Sequence, residues 1–463
     1  MANTPHNTFL DGSLTSIYVK TSLPIIFVMG LSGLHAVVDA IFLGHYTGPE
    51  ALAAVTLMFP IYMLIVALST LVSSGMSSIL ARHLGGKRLS EARAIFAGAH
   101  GLALIVGGVL ILLFLLFGHK FAFLAARGSN ELAEMGLIYL RIMTFFSPLL
   151  FVLSVNSDTL RNEGRLGFMA AMSLLVSLAN IGFNYVLIGL LDMGVAGSAY
   201  GTVLAQTLAL GIIVAFRLHG NTVLRASALL EHSLTYGWLR ILAFGTPQSL
   251  SFIGLALGSA VIMAALQLVD STIYESTVSA YGIITRVMTF AFLPLLGLSH
   301  AMQTITGNNY GAGLLHRSNL SLKFAIFTAF IYCAIIQLAM TVFASQIGRA
   351  FVIDPLVVSE VARILPIIVT MFAVAGPLMM IATYFQAIGD TGRAIILSLS
   401  KPYLFAIPAT FILSATIGEK GIWITSPFAE AMLLILTTVV LAQTARSQSL
   451  RWGLFKVMEE DRT

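Results

Sequence analysis

Residues 17–43 read IYVKTSLPIIFVMGLSGLHAVVDAIFL, a run long enough to cross the hydrocarbon core of a bilayer, with one acid, Asp39, near its end. A carboxylate inside such a run is costly and marks a functional site by default. With the helix expected to end at Gly44, Asp39 falls about one turn from the C-terminus, where the helix dipole disfavours negative charge. Its side chain is also too short to reach water as Lys or Arg does. The plain alternative is a carboxylate capped by its neighbours near the interface. The functional reading is a site that takes a proton or a small cation during transport.

The rest of the chain follows from this first span. Its 463 residues are 58% hydrophobic and 10% charged, with a mean hydropathy of +0.93, which describes a polytopic membrane protein. Apolar runs near 17–43, 52–81, 93–117, 135–157, 167–191 and 195–216 are followed by others near 239–268, 277–305, 321–347, 361–388, 394–416 and 421–445. Twelve spans are expected. The net charge of +5 is no nucleic-acid footprint, because Lys and Arg here report orientation. Starting from the inside, seventeen basic residues fall on one side and five on the other, with Arg141, Arg286 and Lys401 within spans. Both termini are therefore expected in the cytoplasm, in an inner membrane. Residues 1–16 lack a basic n-region, and the first apolar run is too long for a signal peptide, so it reads as an uncleaved anchor. The single cysteine, Cys333, lies in an apolar span and reads as a small buried hydrophobe.

The chain looks duplicated. Pro24 and Pro247 open corresponding runs, and Gly85 with Gly311, Gly164 with Gly389 and Gly194 with Gly421 fall at matching places. The organisation expected is an amino-terminal six-helix lobe (1–216), a cytoplasmic linker (217–238), a carboxy-terminal six-helix lobe (239–445) and a cytoplasmic tail (446–463). Parallel repeats of this kind place a cavity between halves and permit alternating access, which favours a transporter over a channel or an enzyme. No G-x-x-x-x-G-K-[ST] sequence occurs, so an ion gradient rather than ATP is the expected driver.

Polar residues inside the fifth and sixth runs point to the same place as Asp39. Asn180 and Asn184 share one helical face. Asn184 and Thr202 are each nine residues from the turn at Met193, hence at equal depth. Amide, hydroxyl and carboxylate oxygens together suit a hard cation such as Na+ or a protonated carboxyl; interhelical polar packing is the competing account. Pro24 removes a helix hydrogen bond and makes the Asp39 helix deformable, as a static kink or as a hinge. Glu430 is deep enough in the last run to be functional or a paired structural acid, and Arg286 is expected to pair with a carboxylate or a carbonyl. Asp158 and Arg161, one turn apart, read as a local ion pair.

The stretches VVDAIFLGHYTGPEALAAV, SILARHLGGKRLSEA, TLRNEG, MGVAGSAYGTVLAQ, SAYGIITRVMTFAFLPLLGLSHAMQTITGNNYGAG and KPYLFAIPATFILSATIGEKGIWITSPFAE resemble the multidrug and toxic compound extrusion (MATE) family, closest to its DinF-like branch. The resemblance implies an all-α membrane protein of twelve helices in two pseudo-symmetric six-helix lobes around a V-shaped cleft. It also implies antiport of organic substrates against protons or sodium, a coupling site at Asp39, Asn180, Asn184 and Thr202, and bending at Pro24. Asn184 stands where relatives often have an acid, and the seventh and tenth runs have no interior acid. With one carboxylate fewer, H+ is favoured over Na+ as the coupling ion. The expected activity is multidrug efflux of cationic or amphipathic compounds by a monomer in the bilayer, with no cofactor, no enzymatic chemistry and no nucleic acid. A lipid-linked oligosaccharide flippase of the same superfamily is the nearer alternative. An intramembrane serine protease, from Gly30-Leu31-Ser32-Gly33, is the remote one.

Overall fold

The computed structural model describes residues 7–125, 129–219, 222–268, 274–448 and 450–455. Nearly all of these are helical, and the one extended pairing among them is a bridge between Arg451 and Phe455. A helix satisfies its own backbone hydrogen bonds, which is the condition for crossing lipid. Ten helices among the described residues are long and apolar enough to span. In the first half these are span 1 (Leu14–Thr47), span 2 (Phe59–Gly85), span 3 (Leu89–Leu124), span 5 (Leu166–Leu190) and span 6 (Gly194–His219). The second half supplies span 7 (Trp238–Leu268), span 8 (Ser276–Gly311), span 9 (Leu315–Val342), span 11 (Thr391–Ile417) and span 12 (Glu419–Ser447).

Two bent pairs complete the twelve. Span 4 is Asn130–Phe145 followed by Ser147–Asn162 at 49°, and span 10 is Pro355–Ile368 followed by Phe372–Ile388 at 48°. Proline accounts for both breaks: Pro148 opens the second piece of span 4, and Pro366 lies just before the break in span 10. The same span is broken in each half. Two of the three glycine pairs agree with that duplication, whereas Gly194 opens its helix with φ 54° and Gly421 lies inside the helix that starts at Glu419. Gly85 and Gly311 are each the last residue of their helices. Gly164 and Gly389 each follow a helix with φ of 75° and 100°, a left-handed conformation open to glycine at little cost. Pro24 and Pro247 both lie inside long helices.

Span 1 runs further than its glycine suggests. The α-helix reaches Phe42 and continues through wider, π-helical turns at Leu43–Thr47, stopping at Gly48 (φ 109°), whose N–H bonds the Leu43 carbonyl at 3.0 Å. Gly44 fits within the helix, and the pair Gly48-Pro49 ends it, so Asp39 lies nearer two turns than one from the end.

By contacts the chain forms two compact units. Unit 1 holds Met1–Asp11 and Leu23–Ser249; unit 2 holds Gly12–Ser22 and Leu250–Thr463. The stretch 217–238 belongs to unit 1, as does the start of span 7 up to Ser249. Glycine makes that last association possible. A Cβ on Gly75 of span 2 would lie 2.0 Å from the Ile241 carbonyl oxygen, and one on Gly245 would lie 1.8 Å from that of Leu71. The two helices therefore touch backbone to backbone. Unit 1 also buries a charged cluster where spans 3, 4 and 6 meet. Arg217 bonds Asn156 Oδ1 (2.7 Å), the Leu224 carbonyl (2.7 Å) and Glu163 (3.2 Å), and Glu163 accepts the Leu224 N–H at 2.8 Å. Burial pushes the Glu163 carboxyl upward, while the Arg217 charge and the Leu224 N–H pull it back. Asp158 and Arg161 pair at 2.9 Å, as their spacing predicts, and Arg161 also reaches Ser77 at 2.9 Å.

In unit 2 the start of span 1 is tied down by Tyr18, whose hydroxyl meets the Ser321 hydroxyl at 2.7 Å and bonds its carbonyl at 2.9 Å. Glu360, Arg363 and Glu419 form a triad at the far end of spans 10 and 12. Cys333 is fully buried and carries no disulfide.

Candidate functional site

The pocket in unit 1 is made by spans 1, 5 and 6. Packing of span 5 against span 6 brings Asn180, Asn184 and Thr202 to one level, since the tight turn at Asp192–Met193 returns the chain antiparallel. Asn184 donates to Asp39 Oδ1 at 2.5 Å. The Asn180 amide lies between its neighbours, one end 3.2 Å from Asn184 Nδ2 and the other 3.2 Å from the Thr202 hydroxyl. Its partners favour the orientation with the NH2 group 3.1 Å from Asp39 Oδ1 and the oxygen accepting from the Thr202 hydroxyl (3.2 Å) and N–H (3.3 Å). One carboxylate oxygen thus faces two amides. The two asparagines are fully buried, Thr202 is nearly so, and Asp39 is half-buried. All four polar residues singled out in spans 1, 5 and 6 therefore share one hydrogen-bonded chain.

Two further features belong to this pocket. Asn184 Oδ1 is a buried acceptor with no partner among the described residues, and Gly201 makes room for it: a Cβ there would lie 2.2 Å from that oxygen. Neither was evident from composition, although the glycine beside Thr202 in AYGT is the visible trace. Wide turns flank the site as well. The α-helix of span 5 ends at Asn184 and continues as π-helical turns at Tyr185–Leu190, matching those at Leu43–Thr47 after Asp39. Such turns are rare and favour functional positions. Asp39 also lies within electrostatic reach of the Tyr62 and Tyr139 phenols on spans 2 and 4.

The remaining candidates are placed elsewhere. Pro24 is half-buried in span 1, at the start of its unit 1 portion. Glu430 is buried in span 12 and paired with Lys401 of span 11. Arg286, expected to pair, is instead exposed on span 8, with no hydrogen bond or ion pair among the described residues. The Ser32 hydroxyl donates to the Val28 carbonyl of its own helix at 3.0 Å, the habit of a serine solvating backbone rather than of a nucleophile held by a base. Among the described residues no three His, Cys, Asp or Glu side chains gather as a metal site. Any cation in the Asp39 pocket would therefore rely on amide, hydroxyl and single-carboxylate oxygens.

Fold and pocket together define a polytopic helical membrane protein built from two related halves. The MatE family model matches residues 24–186 and again 247–412, and the chain belongs to that family. It is 24% identical over 441 residues to the FAD transporter of Shewanella oneidensis, covering 94% of this chain and 95% of the relative. It is 23% identical over 439 residues to the probable multidrug resistance protein YoeA of Bacillus subtilis, covering 92% and 93%. A solved outward-facing multidrug resistance MATE family transporter of the MOP superfamily shares the fold, with a TM-score of 0.83 at 24% identity over 93% of this chain and 95% of that one.

Proposed function

We propose that this protein is a cation-coupled antiporter that exports amphipathic organic compounds by alternating access, with Asp39 as the coupling carboxylate. The supporting observation is the hydrogen-bonded set Asn184–Asp39–Asn180–Thr202, a single acid inside a span whose neighbours are neutral. Relatives named for multidrug export bound the substrate class, and the relative named for FAD widens it to aromatic compounds carrying phosphate.

The proton is the preferred coupling ion. A lone carboxylate without a second acid lacks the negative charge that would help strip and hold Na+. A primary amide, by contrast, serves both protonation states. Its NH2 donates to a carboxylate, and the same group turned over offers its oxygen to a carboxylic acid. Asn184 has such an oxygen, buried and without a partner. Loading a proton would weaken the Asn184 and Asn180 contacts that now tie span 1 to span 5, and Pro24 gives the helix a place to respond. The decisive experiment uses purified protein in proteoliposomes. Ethidium efflux should run on a pH gradient with no sodium present. Efflux that follows an imposed Na+ gradient and ignores a pH gradient would reverse the ion assignment, and efflux that follows neither would end the antiport reading.

A further inference from the structure

Three wide turns occur among the described residues, and each adjoins a polar group inside a span. Two flank the Asp39 pocket. The third, Ser400–Ala406 in span 11, carries Lys401, and its pairing with Glu430 of span 12 is unevenly satisfied. Glu430 is only 5% exposed; its Oε1 receives the Lys401 ammonium, while its Oε2 is buried without a partner. Lys401, in contrast, is 34% exposed along its side chain and has three donors, one of which Glu430 uses. A buried pair retained for stability would be expected to satisfy both oxygens, because half-satisfied ion pairs cost more than they return. Here one partner is sunk and short of a donor, and the other is reachable and has donors to spare.

Charge balance points the same way. Among the described residues of spans 8, 11 and 12, away from the helix ends, Lys401 and Arg286 stand against one acid, Glu430, and Arg286 has no hydrogen bond or ion pair. That excess positive charge within the spans favours an anion.

We infer that Lys401 and Glu430 form a binding site for organic anions that also carry an O–H or N–H donor, with phosphate monoesters the best match. The phosphate oxygens take the ammonium that Glu430 now holds, and the monoanion's P–OH donates to the empty Glu430 oxygen. Glu430 acts as a tethered competitor, keeping Lys401 neutralised until substrate arrives. This inference names a substrate class for the export proposed above and rests on that reading. It adds a site in unit 2 separate from the Asp39 pocket of unit 1.

The test compares flavin mononucleotide with riboflavin, which shares its ring and lacks its phosphate. Binding is followed by flavin fluorescence on purified protein in phosphatidylcholine nanodiscs. Wild-type protein should prefer the phosphate form by about tenfold or more, as one charge-assisted contact supplies. Lys401→Ala should collapse that preference and Lys401→Arg should retain it. Glu430→Gln keeps an acceptor but releases the ammonium, so affinity for flavin mononucleotide should rise severalfold, a gain that a damaged fold cannot produce. Equal binding of both flavins by wild type, or weaker flavin mononucleotide binding by Glu430→Gln, would overturn the inference. Loss of the wild-type preference in phosphatidylglycerol nanodiscs would assign the ammonium to a lipid headgroup and overturn it as a substrate site. Wild-type ethidium efflux, and its loss in Asp39→Asn, reports separately on the export reading, so either conclusion can fail alone.

Discussion

Spans 5 and 6 of unit 1 and spans 11 and 12 of unit 2 occupy the same order in the two repeats, yet their polar residues differ in kind. The first pair presents two amides and a hydroxyl, all neutral, and meets one carboxylate, Asp39, from span 1. The second pair holds a cation and an anion that neutralise each other across the helix interface. The backbone has kept what the duplication gave it: matched glycine ends, matched prolines and matched breaks in spans 4 and 10. Side chains facing the interior have diverged. Packing keeps the backbone geometry of the two halves alike, whereas the charges their spans carry differ.

The sharpest way to break that comparison is to remove the carboxylate of span 1. Asp39→Asn should insert and purify normally, yet lower gradient-driven ethidium efflux by about a hundredfold or more, the usual scale for losing an essential proton carrier. Normal efflux in a well-expressed variant would leave unit 1 no more specialised than unit 2. Next in size is Gly201→Ala. Its methyl group would lie 2.2 Å from Asn184 Oδ1 and force the amide away from Asp39. We expect about a tenfold loss of efflux, partly recovered when Asn184→Ser shortens the neighbour; no recovery would show that Gly201 acts through packing alone.

Pro24→Ala restores a helix hydrogen bond and removes the preset bend, and should slow turnover a few-fold with expression intact. Initial efflux rates across a concentration series would report it, and wild-type rates would reduce Pro24 to a packing feature. The smallest effect concerns stability in unit 2. Lys401→Met leaves Glu430 buried and unpaired and should lower the melting temperature in detergent by a few degrees. Adding Glu430→Gln should return most of that loss, because the cost lies in the orphaned charge rather than in a missing bond. A double variant as unstable as the single one would mean that the pair holds the spans together directly.

Most of the fold was legible because a membrane span declares itself through its own composition. The twelve apolar runs correspond to ten continuous helices and two bent pairs. The bends at Pro148 and Pro366 were not foreseen, since a proline within an apolar run does not by itself say whether the helix kinks or breaks. The end of span 1 was misplaced for a related reason: Gly44 looked like a stop, but positive φ at Gly48 and the proline after it are what end the helix. The Asp39 pocket was readable from local rules, a four-residue spacing for the asparagines and equal distance from a turn for Asn184 and Thr202. The Lys401–Glu430 pair obeys no such rule. Its members sit on different helices, and only three-dimensional packing shows that the lysine left over from the charge count is the acid's partner.

The division of the chain between its units has a consequence for how the protein is made. Unit 1 needs residues up to Ser249, including the part of span 7 that Gly75 and Gly245 admit against span 2, and unit 2 needs residues 12–22 from the start of the chain. The first lobe is therefore short of part of its contacts when span 6 leaves the ribosome. It waits for the opening turns of a helix encoded beyond the linker. The second lobe, emerging last, recruits a segment translated first. Each half of the gene thus lends the other a piece, and a ribosome that stalls in the linker delivers neither lobe complete.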